Sequence, residues 1–390
     1  MRTKNKNRIK IKRIKGKVNI IILAALILVS IGGLSAIIFG ISQSKKPSSV
    51  LEFIQNNPEK VSLSILNNDN SLIQYQADRK MPLASVAKII IAIEYARQAA
   101  DKKIDPDSRI SLEEINRYYI PKLDGDAQPQ WEEYLEQNKK TEAGTVALRE
   151  VAKGMIDFSS NANMEYLIEL LGLDQINKNL TELQLTTHEA IYPFYAGLLI
   201  PGSLMEEYNG LSQADRVEKV KVLLSNMPQE EFAELAVLEH NRLKADKDGS
   251  YQKSRNLEEW YDLEFDKMNS DRMVAATSRE YGELLGKINS DSYFSDEMNI
   301  CLREVMEGPM ESEGNQELFK HLGFKGGSTN YILNTAMYAR DKEEQTVEIA
   351  FFTNNLTEKE FKRLSQNMND FLYQILTDEA FRLKVRETLE

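Results

Sequence analysis

Apolar and polar residues follow two different periods along this chain, and the two periods occupy different regions. Val61-Ser62-Leu63-Ser64-Ile65-Leu66 and Leu72-Ile73-Gln74-Tyr75 alternate with the period of a strand. Asn67-Asn68-Asp69-Asn70 lies between them, so the pair predicts a β-hairpin. Over 84–100 the pattern turns helical, and Ile89, Ile90, Ile91, Ile93 and Ala96 are so nearly continuous that the helix must be buried on most sides. Helical periodicity with little strand signal fills about 110–310. Strand patterns return at 331–338 and 347–353, joined by the charged turn Arg340-Asp341-Lys342-Glu343-Glu344, and a last helix starts near Thr357. Strands at both ends with a helical block between them predict an α+β fold. One antiparallel sheet is built from the N- and C-terminal segments with the first and last elements side by side, flanked by helices and completed by a helical subdomain. No internal repeat is visible.

The N-terminus follows neither pattern. Residues 1–17 hold nine Lys or Arg and no acid, and 18–41 are uncharged and strongly apolar. That length can span a bilayer as one helix, and the basic flank belongs in the cytoplasm. A cleaved signal peptide would have a shorter apolar region and a small-residue cleavage site. The expected organisation is therefore a cytoplasmic segment 1–17, an uncleaved transmembrane anchor 18–42, a tether 43–50, and one domain over 51–390 on the extracellular side. Two stretches within that domain read as insertions and as solvated surface: about 124–142, acidic and Gln-rich, and 204–269, strongly charged.

Charge and composition then narrow the function. Residues 1–46 carry eleven bases and no acid, so without them the net charge falls from −11 to −22. A domain so acidic is a poor partner for nucleic acid, and small specific ligands are expected instead. Cys301 is the single cysteine, set in an apolar-periodic stretch where packing is its expected role. The three histidines, His188, His240 and His321, show no metal-ligand spacing. Neither a metal nor another cofactor is expected, and a Ser-His-Asp triad is improbable.

Three short motifs can carry acyl transfer without histidine. Ser85-Val86-Ala87-Lys88 opens the apolar helix just after Pro82; positions i and i+3 share a helix face, which sets Lys88 beside the Ser85 hydroxyl. A lysine desolvated near a second cation can lose enough basicity to act as a general base. Ser159-Ser160-Asn161 falls in a loop between two helical segments, where Ser159 can relay a proton and Asn161 can bind an amide carbonyl; helix capping is the plainer reading. Lys325-Gly326-Gly327-Ser328 is expected to head the strand that begins the C-terminal hairpin. Lys325 there can bind a carboxylate, Gly326 and Gly327 can admit a substrate backbone, and the Ser328 N–H can join that of Ser85 in stabilising an oxyanion. Each motif alone is weak: Ser42 to Lys45, Ser250 to Lys253 and Lys247-Asp248-Gly249 are imitations in the wrong context.

In this order and context the motifs resemble the S-x-x-K, S-D-N and K-T-G set of the serine β-lactamase and penicillin-binding protein superfamily. Thr277-Ser278-Arg279-Glu280-Tyr281 also resembles the T-x-R-[DE] helix start found between the second and third motifs of that superfamily. The resemblance spans about 55–385 and implies a membrane-anchored serine hydrolase or acyltransferase. It would form an acyl-enzyme on Ser85 with β-lactams or D-Ala-D-Ala-type cell-wall peptides. Ser85, Lys88, Ser159 and Lys325 would be catalytic, and Asn161, Gly326, Gly327 and Ser328 would bind substrate. A catalytically degenerate module that binds wall peptide or a partner protein is the alternative. The pattern departs from class A β-lactamases at Thr187-His188-Glu189-Ala190-Ile191-Tyr192-Pro193, where an E-x-x-L-N loop would be expected, so slow deacylation is anticipated.

Overall fold

The computed structural model describes residues 47–390 apart from Lys122 and Asn256. The expected transmembrane anchor and the first part of the tether lie outside the described residues, among which no helix is long and apolar enough to cross a membrane. The tether ends earlier than expected, because a helix spans Ser48–Asn56 and buries Val50, Leu51, Phe53 and Ile54.

The main sheet has five antiparallel strands: β1 (Val61–Asn67), β2 (Asn70–Tyr75), β3 (Phe319–Thr329), β4 (Ile332–Asp341) and β5 (Thr346–Thr353). Their spatial order is β2-β1-β5-β4-β3, so the first and last strands pair, with Val61 opposite Thr353 and Ile65 opposite Ile349. Side chains alternate between two cores, as the pleat requires. Ala336, Tyr338, Ala350 and Phe352 face the helical core, whereas Met337, Ala339, Ile349 and Phe351 face a second core.

The helices that place the site are α1 (Lys88–Ala100), α2 (Ala127–Gln137), α3 (Leu148–Asp157), α4 (Asn161–Leu171), α5 (Gln229–Ala245), α6 (Ser278–Asn289) and α7 (Glu358–Thr377). Helix α1 runs through the helical core and buries even Lys88 and Glu94. Helix α6 starts at an N-cap Thr277, whose hydroxyl accepts the Glu280 amide, and Tyr281 meets Phe352 of the sheet edge-on. Helix α7 covers the opposite face through Phe361, Leu364, Phe371 and Ile375, after a capping box made by Thr357 and Glu360.

Two expectations change. Strand β3 is a full eleven-residue edge strand, and the Lys325 motif lies in its second half, not at the head of a strand. Glycines at 323, 326 and 327 conceal the strand period in the sequence. The two stretches expected as solvated surface are also built into the core. Trp131 and Leu135 of the first are buried, as are Phe232, Ala236, Glu239 and His240 of the second. Cys301 is half-buried, and its neighbour Ile300 is exposed.

Candidate active site

Ser85 lies in a short 3₁₀ turn, Ala84–Ala87, and the α-helix proper begins at Lys88. The small strand Lys80–Pro82 pairs with Ala275–Thr277 and delivers the chain to this turn, where the Leu83 amide donates to Val274 O at 2.8 Å. Ala84 takes φ 49° and Ser159 takes φ 61°. A non-glycine residue in that region costs about 1–3 kcal/mol, and such strain persists only where surrounding structure enforces it. Here it occurs beside the first motif and within the second.

Gly327 explains how the third motif reaches the first. A Cβ at this position would stand 2.6 Å from Leu83 O and 2.9 Å from the amide nitrogens of Ser85 and Val86. Glycine therefore lets the end of β3, with Ser328, lie against the Ser85 turn. Two N–H groups at such a junction can stabilise one oxyanion. Asn334 of β4 fastens the same junction, donating to Pro82 O at 2.7 Å and accepting from the Thr353 amide at 2.7 Å.

The amine of Lys88 is wholly buried and is engaged by the second motif. Its Nζ donates to Ser159 O at 2.6 Å and to Asn161 Oδ1 at 2.7 Å, and lies 3.3 Å from Ser159 Oγ. The i, i+3 spacing led us to expect Lys88 against the Ser85 hydroxyl, but none of these bonds goes to Ser85. The loop before α4 offers a carbonyl, an amide oxygen and a hydroxyl together, which one helix turn cannot match. Burial, followed by the nearby charge of Lys325, pushes Lys88 well below its usual basicity. A neutral amine has two N–H groups and one lone pair. If the amine is neutral, two of the three acceptors around it, Ser159 O, Ser159 Oγ and Asn161 Oδ1, take its N–H groups and its lone pair is left to accept a proton.

Lys325 completes the arrangement from β3. Its Nζ donates to Ser159 Oγ at 3.0 Å and to Gly326 O at 2.9 Å, and burial lowers its pKa to about 7. The Ser159 hydroxyl thus stands between two buried lysines. Ser160, and not Ser159, caps α4, accepting the Asn163 amide at 3.0 Å and donating to Gln128 Oε1 at 2.6 Å. Gly326 supplies its carbonyl to Lys325.

Several contributors carried no sequence signal of their own. Gln128, in a stretch expected on the surface, buttresses the Ser159 loop. Asp124 and Glu165 are buried carboxylates whose charge acts on Lys88. His240 of α5 meets Glu165 at 2.6 Å and stacks on Tyr118. Only Glu165 could have been anticipated: it lies four residues beyond Asn161, on the same helix face. A cleft of about 640 Å³ adjoins the Ser159 loop, lined by Tyr134, Asp157, Phe158, Pro309 and Ser312 among others. A smaller cavity of about 330 Å³ between Gly202 and Trp260 contains no motif residue. Among the described residues no group of His, Cys, Asp or Glu is arranged to hold a metal ion.

Three motifs converging on one hydroxyl at the edge of a five-stranded sheet invite comparison with known proteins. The sequence profile of the β-lactamase enzyme family matches residues 47–357. The chain belongs to the β-lactamase enzyme family. Solved structures of β-lactamases are similar to the chain at low sequence identity. A β-lactamase from Sphaerobacter thermophilus superposes with a TM-score of 0.50 at 14% identity, covering 85% of this chain and 96% of its own. A class A β-lactamase from Bacteroides cellulosilyticus is 17% identical with a TM-score of 0.49, covering 85% and 99%. A β-lactamase from Chitinophaga pinensis is 13% identical, with a TM-score of 0.49 and coverage of 84% and 98%. No curated protein sequence matches this β-lactamase-family chain significantly.

Proposed function

We propose that this β-lactamase-family protein is a serine hydrolase or acyltransferase that forms an acyl-enzyme on Ser85. Its substrates are β-lactams or D-Ala-D-Ala-type cell-wall peptides, met at the outer face of a membrane in which residues 18–42 anchor it. The observation that carries this reading is the Ser159 hydroxyl set 3.3 Å from Lys88 Nζ and 3.0 Å from Lys325 Nζ. That is a proton path bounded by a depressed base and a cation. Neutral Lys88 takes the Ser85 hydroxyl proton as Ser85 Oγ attacks the amide carbon. The resulting oxyanion rests against the Ser85 and Ser328 N–H groups. The proton then passes from Lys88 through the Ser159 hydroxyl to the leaving nitrogen, the C–N bond breaks, and the acyl group stays on Ser85. Lys325 receives the substrate carboxylate. Asn161, whose Oδ1 is held by Lys88, keeps its Nδ2 to donate to a substrate amide carbonyl.

The test is intact-mass spectrometry of the full chain in detergent micelles after incubation with a penicillin. A covalent adduct on the native protein and none on folded Ser85→Ala is the expected result. Labelling retained by Ser85→Ala removes Ser85 from its role. Neither adduct nor turnover on native protein would favour a binding module on the same fold.

A further inference from the structure

In acylation the leaving nitrogen takes its proton from Ser159 Oγ, so whatever that nitrogen carries projects past the Ser159 loop. The cleft of about 640 Å³ opens beside that loop, and Asp157 and Phe158, the two residues before Ser159, form part of its wall. Helix α2 contributes Glu133 and Tyr134, and the 3₁₀ turn Gly308–Glu311 contributes Gly308 and Glu311. The rings of Tyr134 and Phe158 meet with centroids 5.2 Å apart, and Tyr134 already carries the Lys140 ammonium 5.2 Å from its ring centre. Aromatic faces beside carboxylates suit a cation.

Asp157 is the group in this wall that local structure does not explain. It is the last residue of α3, where the carbonyl end of the helix disfavours a negative charge. Lys153, one turn earlier, is committed to Glu311 at 2.8 Å. Among the described residues the half-buried Asp157 carboxylate makes no hydrogen bond or ion pair. Gly308 makes room for it, since a Cβ there would overlap the carboxyl at 2.6 Å from Asp157 Cγ. Burial pushes this carboxyl up to about 7, with Glu311 and Glu150 adding to the rise and Lys153 and Lys325 opposing it. The position is short of one positive charge, and a breach of local rules of this kind is expected at functional sites.

We propose that this cleft is the subsite for the leaving-group half of the substrate and selects a cationic group there, a role that rests on the acyl-enzyme reading above. The cation, an ammonium or a pyridinium, lies against the Tyr134 and Phe158 rings and is neutralised by Asp157. The exposed Glu133 and Glu311 add to the negative field that draws it in. Lys325 receives the substrate carboxylate and Asp157 the cation, so the site reads two opposite charges on the same half of the substrate.

Two cephalosporins test it. Cephalothin and cephaloridine share one acyl group and one carboxylate, and differ in the substituent on the ring that bears the leaving nitrogen, acetoxymethyl in the first and pyridiniomethyl in the second. Acylation rates for both are measured by intact-mass spectrometry on the full chain in detergent micelles. Their ratio is the readout, because the titration of Lys325 and the inherent reactivity of each drug cancel when proteins are compared. The cephaloridine-to-cephalothin ratio should fall about tenfold from native protein to Asp157→Asn, the low end for a close charge pair at an interface. Gly308→Ala drives the carboxyl from its seat without removing its charge and should lower the ratio too, so it decides the outcome should Asp157→Asn not fold. An unchanged ratio in the folded variants overturns the proposal. If neither drug labels native protein, the acyl-enzyme reading fails, and the subsite is then read by saturation-transfer NMR with N-methylpyridinium against empty micelles. A signal on native protein that weakens in Asp157→Asn supports the cation subsite; an equal or absent signal overturns it.

Discussion

Gly327→Ala tests the site at the point where two motifs touch. The added methyl would meet Leu83 O at 2.6 Å and the amide nitrogens of Ser85 and Val86 at 2.9 Å, whereas ordinary contact begins at 3.4 Å. All three neighbours are backbone, so no side chain can rotate away. The end of β3 and the Ser85 turn must separate by about 0.8 Å at the tightest contact. Overpacking of this kind costs about 1–3 kcal/mol, and the protein should fold with its Tm lowered by a few degrees. The larger effect is chemical. The displaced amides are those proposed to stabilise the oxyanion, and a misplacement near 1 Å can cost about 10²-fold in rate. The second-order acylation rate with a fluorescent penicillin, followed by stopped flow, should therefore fall about a hundredfold. Gly210→Ala is the matched control, since nothing lies within 4 Å of its Cβ position. A Gly327→Ala protein that acylates within twofold of native would refute the junction as the place where the oxyanion is held.

Other consequences are equally direct. Burial sets the Lys325 pKa near 7, so its ammonium is lost as pH rises through that value and acylation by a carboxylate-bearing β-lactam should weaken on the alkaline side. Lys325→Arg keeps the charge and should flatten that limb of the pH–rate profile; a limb that persists belongs to another group. Burial is the largest single influence and opposes the charge on His240, but its hydrogen bonds and charge attraction with Glu165 and Glu169 together outweigh it, and the net shift is upward from 6.5. A raised folded-state pKa gives stability that is fully present below about pH 6.5 and is lost as pH rises through the folded value. The stability gap between native protein and His240→Gln, read from thermal melts across pH, should accordingly shrink towards alkaline pH; a constant gap would make the pair electrostatically neutral. Trp131 is 1% exposed and donates from Nε1 to Glu150 O at 3.2 Å, so Trp131→Ala should cost about 3–5 kcal/mol in urea unfolding. A loss under 1 kcal/mol would return residues 124–142 to the surface.

Much of this architecture was legible because its signals are local. The hairpin at 61–75, the apolar helix after Ser85 and the strands β4 and β5 each declare themselves by side-chain period. The order of the three motifs pointed to the family before any contact was known. The sequence was silent where meaning depends on a distant partner. Nothing near Gln128 announces that its amide will take the Ser160 hydroxyl, and an acidic, Gln-rich stretch looks the same whether water or Trp131 covers it. Strand β3 was obscured by the glycines that its close packing requires. The chain by itself determined which residues could do acyl chemistry and on which kinds of element they sit, since helix and strand periods depend on neighbours a few positions apart. Tertiary structure alone decided that Lys88 would spend its N–H groups on Ser159 and Asn161, that Lys325 would lose its excess basicity, and that an inserted loop would bring Asp124 into the field of Lys88. Hydrogen-bond choice and proton affinity depend on burial and on charges brought together from positions far apart in the chain, and only the folded core creates those conditions.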